Sequence, residues 1–281
     1  MADARVDVEN PAMSASTTTP GRAGPATTLA KVPAVTLGFW ITKIAATTLG
    51  ETGGDAVTMS WLGETTALGN GMGYLIGTAI FSLIFALAVW SQVRATRFRP
   101  ALYWFAMIAS TTVGTTLADY VTRSLGIGYA GGSSLLLLMV LGVLWWWKRT
   151  LGTVAVDSVG DPASEGFYWL AIMCSQTLGT ALGDWVADTA GLGYTVAMAI
   201  FGGALALVAL LHFRTRMSPT LLFWAAFILT RPLGAVVGDF LDKPVASGGL
   251  ALSRVVASLI LLVFIAGCVL FLPQRAAARM H

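Results

Sequence analysis

The stretch TLGTALGDW, Thr177 to Trp185, decides the fold, because near copies of it occur four times: TLGETGGDA (48–56), TVGTTLADY (112–120), TLGTALGDW and PLGAVVGDF (232–240). Aligned on Gly50, Gly114, Gly179 and Gly234, each copy has a tryptophan ten residues earlier (Trp40, Trp104, Trp169, Trp224). A small residue follows four later (Gly54, Ala118, Gly183, Gly238), then an aspartate five later (Asp55, Asp119, Asp184, Asp239). Thr48, Thr112 and Thr177 precede the glycine by two, where the last copy has Pro232. A pattern held in register four times marks internal repetition of one structural unit.

These segments lie in a strongly apolar chain. Of 281 residues, 56% are hydrophobic and 11% charged, with a net charge of +3; mean hydropathy is +0.75 and the pI about 9.0. A soluble domain carries about 25% charged residues, so the composition predicts an integral membrane protein and gives no reason to expect nucleic acid as a partner. Lipid is the expected surroundings, and homo-oligomerisation is left open. Eight stretches approach the roughly 20 apolar residues of a bilayer span: 36–58, 72–93, 101–121, 131–147, 167–187, 193–212, 220–241 and 250–272. Basic residues follow the even-numbered ones (Arg94, Arg97, Arg99; Lys148, Arg149; Arg214, Arg216; Arg275, Arg279), whereas the opposite loops hold only Arg123 and Lys243. The positive-inside rule then puts both termini on the cytoplasmic side of the membrane.

The expected fold is all-α: eight transmembrane helices as four parallel helical-hairpin repeats (about 36–99, 100–150, 165–216 and 217–272), with pseudo-fourfold or pseudo-twofold symmetry along the membrane normal. Residues 1–35, rich in Ala, Thr, Pro and Ser, read as a disordered cytoplasmic tail, and 273–281 as a short cytoplasmic end. The tryptophans read as interfacial anchors.

At 100° per residue, Gly50 and Gly54 share one helix face, the small-xxx-small pattern that lets helix backbones approach in lipid. Gly114, Gly179, Gly183, Gly234 and Gly238 read the same way. Thr48 and Asp55 share a second face, flanked by Glu51. A carboxylate inside a membrane needs a cation, a partner, water or a proton. The expected cation or proton site is therefore Glu51, Asp55, Asp119, Asp184 and Asp239, the metal-ligating set, helped by Thr48, Thr112 and Thr177. Lys43, Arg231 and Arg254, the three basic residues inside spans, would compensate charge or gate the site. Lys43 could instead snorkel to the interface. Asp188 and Asp242 would line a solvated outer vestibule.

Oxygen ligands of this kind suit Mn²⁺, Mg²⁺ or Ca²⁺ rather than Cu⁺ or Zn²⁺. No Walker sequence is present, which points to gradient-driven transport: a secondary transporter, expected to export a divalent metal such as manganese or magnesium in exchange for protons. A cation channel and a structural or assembly protein are the alternatives. Cys174 and Cys268 stand alone in apolar stretches, and His212 and His281 fall outside any ligand pattern. No cofactor and no enzyme activity is expected.

TTLGETGGD, TTVGTTLADY, SQTLGTALGDW and TRPLGAVVGDF together resemble a bacterial family of uncharacterised multi-pass inner-membrane proteins, over about residues 36–272. The first of them is also similar to the Glu-x-Gly-Asp motif of cation/proton exchangers for manganese or calcium. Here Glu51 and Asp55 lie four apart rather than three. The Gly-x-Gly-Asp signature of intramembrane aspartyl proteases lacks its first glycine in all four copies.

Overall fold

A computed structural model describes residues 30–64, 71–125 and 127–277. The expected tail at 1–29 and the last residues, 278–281, lie outside the described residues. Eight long helices follow in order: α1 (Leu37–Asp55), α2 (Met72–Arg94), α3 (Pro100–Asp119), α4 (Tyr129–Leu151), α5 (Pro162–Asp184), α6 (Gly193–Arg214), α7 (Pro219–Asp242) and α8 (Arg254–Phe271). No strand occurs among the described residues. Proline opens α3, α5 and α7 at a position whose missing N–H leaves nothing unpaired. Thr36 caps α1, accepting from the Phe39 N–H.

The α5 start is the most explicit cap. Asp161 accepts from the Ala163 and Ser164 N–H groups at 3.0 and 3.1 Å, and the Ser164 hydroxyl receives the Asp161 N–H in return. The hydrogen bond from the Ser164 hydroxyl, supported by those backbone N–H groups, holds the Asp161 carboxyl below the usual carboxylate range. Its stabilisation is thus complete above the unfolded value of about 3.9 and is lost as pH falls through the lower folded value. Asp161→Ala should cost about 1 kcal/mol, read from the unfolding midpoint at neutral pH, with the difference shrinking in acid.

The four motif helices α1, α3, α5 and α7 form a closed ring, each packed on the next and α7 on α1. The glycines make this contact. A Cβ at Gly50 would run into Thr111, at Gly114 into Gln176, at Gly179 into Arg231 and at Gly234 into Thr47. Each aligned glycine thus receives the residue three before the glycine of the next repeat. One turn on, Gly54 faces Thr115, Gly183 faces Ala235 and Gly238 faces Glu51, repeating the same offset.

The outer helices depart from simple hairpins. Each even helix packs chiefly on the motif helix of the following repeat: α2 on α3, α4 on α5, α6 on α7 and α8 on α1. The turn between the helices of one repeat therefore spans a ring position instead of folding the pair together. Six helices, α2, α3, α4, α6, α7 and α8, are long and apolar enough to cross a membrane. Eight were expected. α1 and α5, at 19 and 23 residues, are long enough but too polar. Their polar side chains face the ring interior, while α8 and α4 cover their backs. Leu83, Leu138, Leu207 and Val263 are exposed on the outer helices, as in a membrane-embedded chain.

The tryptophans correct an expectation. Trp104, Trp169 and Trp224 are 2–3% exposed, in the interior at one end of the ring, not on its rim. Each packs on the residue eleven before the glycine of the preceding repeat: Phe39–Trp104, Tyr103–Trp169, Tyr168–Trp224 and Phe223–Trp40, with centroids 5.6, 5.7, 6.3 and 5.8 Å apart. Ring contacts of this spacing are favourable edge-to-face or tilted pairs. Two of the N–H groups find partners in the chain: Trp224 donates to the Val154 carbonyl at 2.9 Å and Trp104 to Gln274 at 3.2 Å.

Residues 30–35, expected in the disordered tail, are part of this closed end. Ala30 and Val32 are buried, and Pro33 forms an antiparallel bridge with Ala276. Lys31 pairs with buried Glu165 at 2.7 Å and donates to the Val93 carbonyl. An apolar pair separated by one residue, with a lysine between that reaches a buried acid, is enough to dock a short extended segment.

Candidate functional site

The ring stacks its inward residues in layers. Above the aromatic floor, seven residues before the aligned glycine, lie Lys43, Met107, Ile172 and Phe227, all fully buried. Lys43 does not snorkel. The side chain is 0% exposed, and Nζ sits 3.7 Å from the centroid of the Phe227 ring.

The next layer is pinned by Arg231. This fully buried guanidinium donates through one nitrogen to Glu51 Oε2 at 2.8 Å, to Thr115 Oγ at 2.6 Å and to Thr180 Oγ. Glu51, Thr115 and Thr180 are equivalent residues, one after the aligned glycine in the first three repeats. The fourth repeat thus sends a cation across the axis to the same position of the other three. Its second terminal nitrogen donates to the Thr47 carbonyl at 3.4 Å.

The four repeated aspartates form the layer above, each 1% exposed. Two bases tie them in pairs. Arg123 reaches Asp119 at 2.9 Å and Asp184 at 3.3 Å; Lys243 reaches Asp239 at 2.9 Å and Asp55 at 3.3 Å. Arg254 adds contacts to Asp242 at 3.0 Å and Asp55 at 3.9 Å. The bases follow the aspartates of repeats two and four at i+4, so the charge pattern is twofold on a fourfold ring. In the first three repeats the helix widens just past the aspartate, with i+5 hydrogen bonds from Leu62 to Val57, Leu125 to Tyr120 and Ala190 to Trp185. Such π-turns gather at functional sites.

The acids exceed the bases. Glu51, Asp55, Asp119, Asp184, Asp239 and Asp242 face Arg123, Arg231, Lys243 and Arg254, six carboxylates to four bases, a formal excess of two negative charges. Asp55 Oδ1, Asp119 Oδ2, Asp184 Oδ1 and Asp239 Oδ2 are buried without a hydrogen-bond partner among the described residues. Carboxylate oxygens of Glu51, Asp55 and Asp239 lie within 4.8 Å of one another, close enough to hold one metal ion. The donor set is all oxygen, as Mg²⁺, Mn²⁺ or Ca²⁺ prefer.

Four segments, 38–98, 102–159, 167–218 and 222–273, each match a family described as Repeat of Unknown Function (DUF347). The chain belongs to this family. No match was found among curated proteins or solved structures. Each DUF347 repeat opens just before its tryptophan and carries one motif helix and one outer helix.

Within the DUF347 repeats the expected site residues divide. Glu51, Asp55 and Asp239 come together, while Asp119 and Asp184 join through Arg123 on the other side of the ring. Thr48, Thr112 and Thr177 turn their hydroxyls back to the carbonyls of Ile44, Ile108 and Met173 on their own helices, at 3.0–3.1 Å. Among the threonine hydroxyls that reach a carbonyl of a neighbouring motif helix are those of Thr47, to Thr230, Thr111, to Ala46, and Thr115, to Gly50. Asp242 is buried beside Arg254, not solvated in a vestibule, and Asp188 is exposed. Arg123 and Lys243 were legible only as loop charges. Their i+4 spacing from Asp119 and Asp239 was the signal that assigns them to the ring.

Proposed function

We propose that this chain is a membrane-embedded secondary transporter that binds an inorganic divalent cation at the carboxylate ring and exchanges it for protons. The observation that carries this reading is the cluster of Glu51, Asp55 and Asp239, with carboxylate oxygens within 4.8 Å of one another and two buried aspartate oxygens left unpartnered. A divalent ion would balance the formal excess of two negative charges. Ions of the Mn²⁺ and Mg²⁺ class match the ligands. Lys243 is then a tethered cation that holds Asp55 and Asp239 until the ion displaces it.

The basic residues at the tryptophan end support a reading in which that end faces the cytoplasm across the plasma membrane, with both termini on that side. The exposed leucines and valines of the outer helices are the lipid surface. Arg231 and the aromatic floor close the axis, which favours alternating access over an open cation pore.

Flux of Mn²⁺ and Mg²⁺ into proteoliposomes, with and without a pH gradient, tests the proposal. Asp239→Asn and Asp55→Asn should lower gradient-driven flux at least tenfold in protein that elutes as folded wild type does. Normal flux in both variants would sink it.

A further inference from the structure

Lys43 is basic, fully buried and left out of the ion-pair networks among the described residues. Its Nζ has no hydrogen-bond partner among the described residues, and its one polar contact is the face of Phe227, 3.7 Å away. An aromatic face offsets only part of the desolvation of an ammonium. Repeats two, three and four fill the same position with Met107, Ile172 and Phe227 and carry no such penalty. The amine therefore sits there at a loss of stability, which a packing role does not explain.

Its place on the axis suggests what it does. On the tryptophan side lie the buried hydroxyls of Tyr103 from α3 and Tyr168 from α5, bonded to each other at 2.6 Å. On the aspartate side lies Arg231 from α7, one turn along from the Phe227 ring that Lys43 touches, and beyond it Glu51 of α1. The charged residue of α8, Arg254, stands at the far end of that helix, paired to Asp242. Lys43 thus lies between two sets of protonatable groups, and the base one layer on is a guanidinium paired with Glu51.

We propose that Lys43 is the proton carrier of the exchange cycle. This rests on the cation reading of the carboxylate ring. The lone pair of the neutral amine takes a proton from the cytoplasmic side and forms an N–H bond. When a cation binds Glu51, Asp55 and Asp239, the Glu51 carboxylate turns to the metal and leaves Arg231 uncompensated. The unneutralised guanidinium then disfavours the ammonium beside it, the N–H bond breaks with its electron pair left on nitrogen, and the proton passes to water at the aspartate end, opposite the side it came from, as the amine is regenerated. Cation binding and proton release are coupled through one ion pair, with no redox step and no further reactant.

The test measures protons released per Mn²⁺ bound, by calorimetry of the full-length protein in two buffers of different ionisation enthalpy. Gradient-driven Mn²⁺ accumulation is followed in proteoliposomes. Lys43→Met should still bind Mn²⁺, release about one proton fewer per ion, fail to accumulate Mn²⁺ against a gradient, and melt at a higher temperature than wild type. Lys43→Arg, which cannot discharge, should also lose the proton release and covers the case in which the methionine variant does not fold. Unchanged proton release in either folded variant overturns the role of Lys43 while leaving the cation site intact. A wild-type protein that binds no Mn²⁺ overturns the cation reading itself, and the carrier role with it.

Discussion

Arg231→Met is expected to destabilise the protein by about 3–5 kcal/mol, and Arg231→Met/Glu51→Leu by much less. Removing one member of a buried ion pair leaves the other charge uncompensated, whereas apolar replacement of both is often close to neutral. Here the guanidinium joins all four repeats, through Glu51, Thr115 and Thr180. Its loss leaves the Glu51 carboxylate, which is 3% exposed, without its paired cation and with the Thr115 hydroxyl as its remaining side-chain partner among the described residues. Unfolding midpoints of both single variants and the double variant in detergent close a mutant cycle. Equal destabilisation in the Arg231 single variant and the double variant would show that the charge pair does not pin the ring. The cycle also bears on transport, because Glu51 is shared between Arg231 and the proposed ion. The double variant, stable but without the Glu51 ligand, should have lost Mn²⁺ binding.

Gly114→Ala is the second large effect. A Cβ at this position would stand 2.7 Å from Gln176 Cβ, 2.8 Å from the Gln176 backbone carbon and 3.0 Å from the Thr177 nitrogen. Backbone cannot rotate aside, so α3 and α5 must separate along the whole seam. Overpacking of a rigid contact costs about 1–3 kcal/mol, and separation here also opens the layers above and below. Gly53→Ala is the matched control. The nearest atoms to a Cβ there are 3.9 Å away, and an alanine in a helix gains roughly 0.5–1 kcal/mol over glycine. Opposite signs for the two substitutions, read from unfolding midpoints, would establish that the aligned glycine serves helix approach. Destabilisation by both would mean that the seam carries no special contact.

How much of this was legible in the sequence follows from what a local pattern encodes. The fourfold register, the motif helices and the glycine seam all rest on spacings within one helix, and a spacing of four residues places side chains on one face whatever the neighbours are. The four aspartates were visible for the same reason, as were Arg231 and Lys43 as oddities within apolar stretches. Partners were not visible. An amphipathic face states that a residue points inward without saying which helix it meets. That is why the tryptophans read as lipid anchors and the even helices as partners of their own repeat.

The sequence by itself determined a helical chain of four repeats with a small-residue seam and a carboxylate in each. The tertiary structure decided that the seam closes into a ring in which every glycine meets the following repeat. That offset carries Arg231 across the axis to Glu51, 180 residues away in sequence. It also places Arg123 and Lys243 each between two aspartates and buries Lys43 with no counter-ion among the described residues. The physical reason is that charge and burial depend on distances between helices. Those distances are set by how closely four backbones approach, which no single helix's periodicity contains.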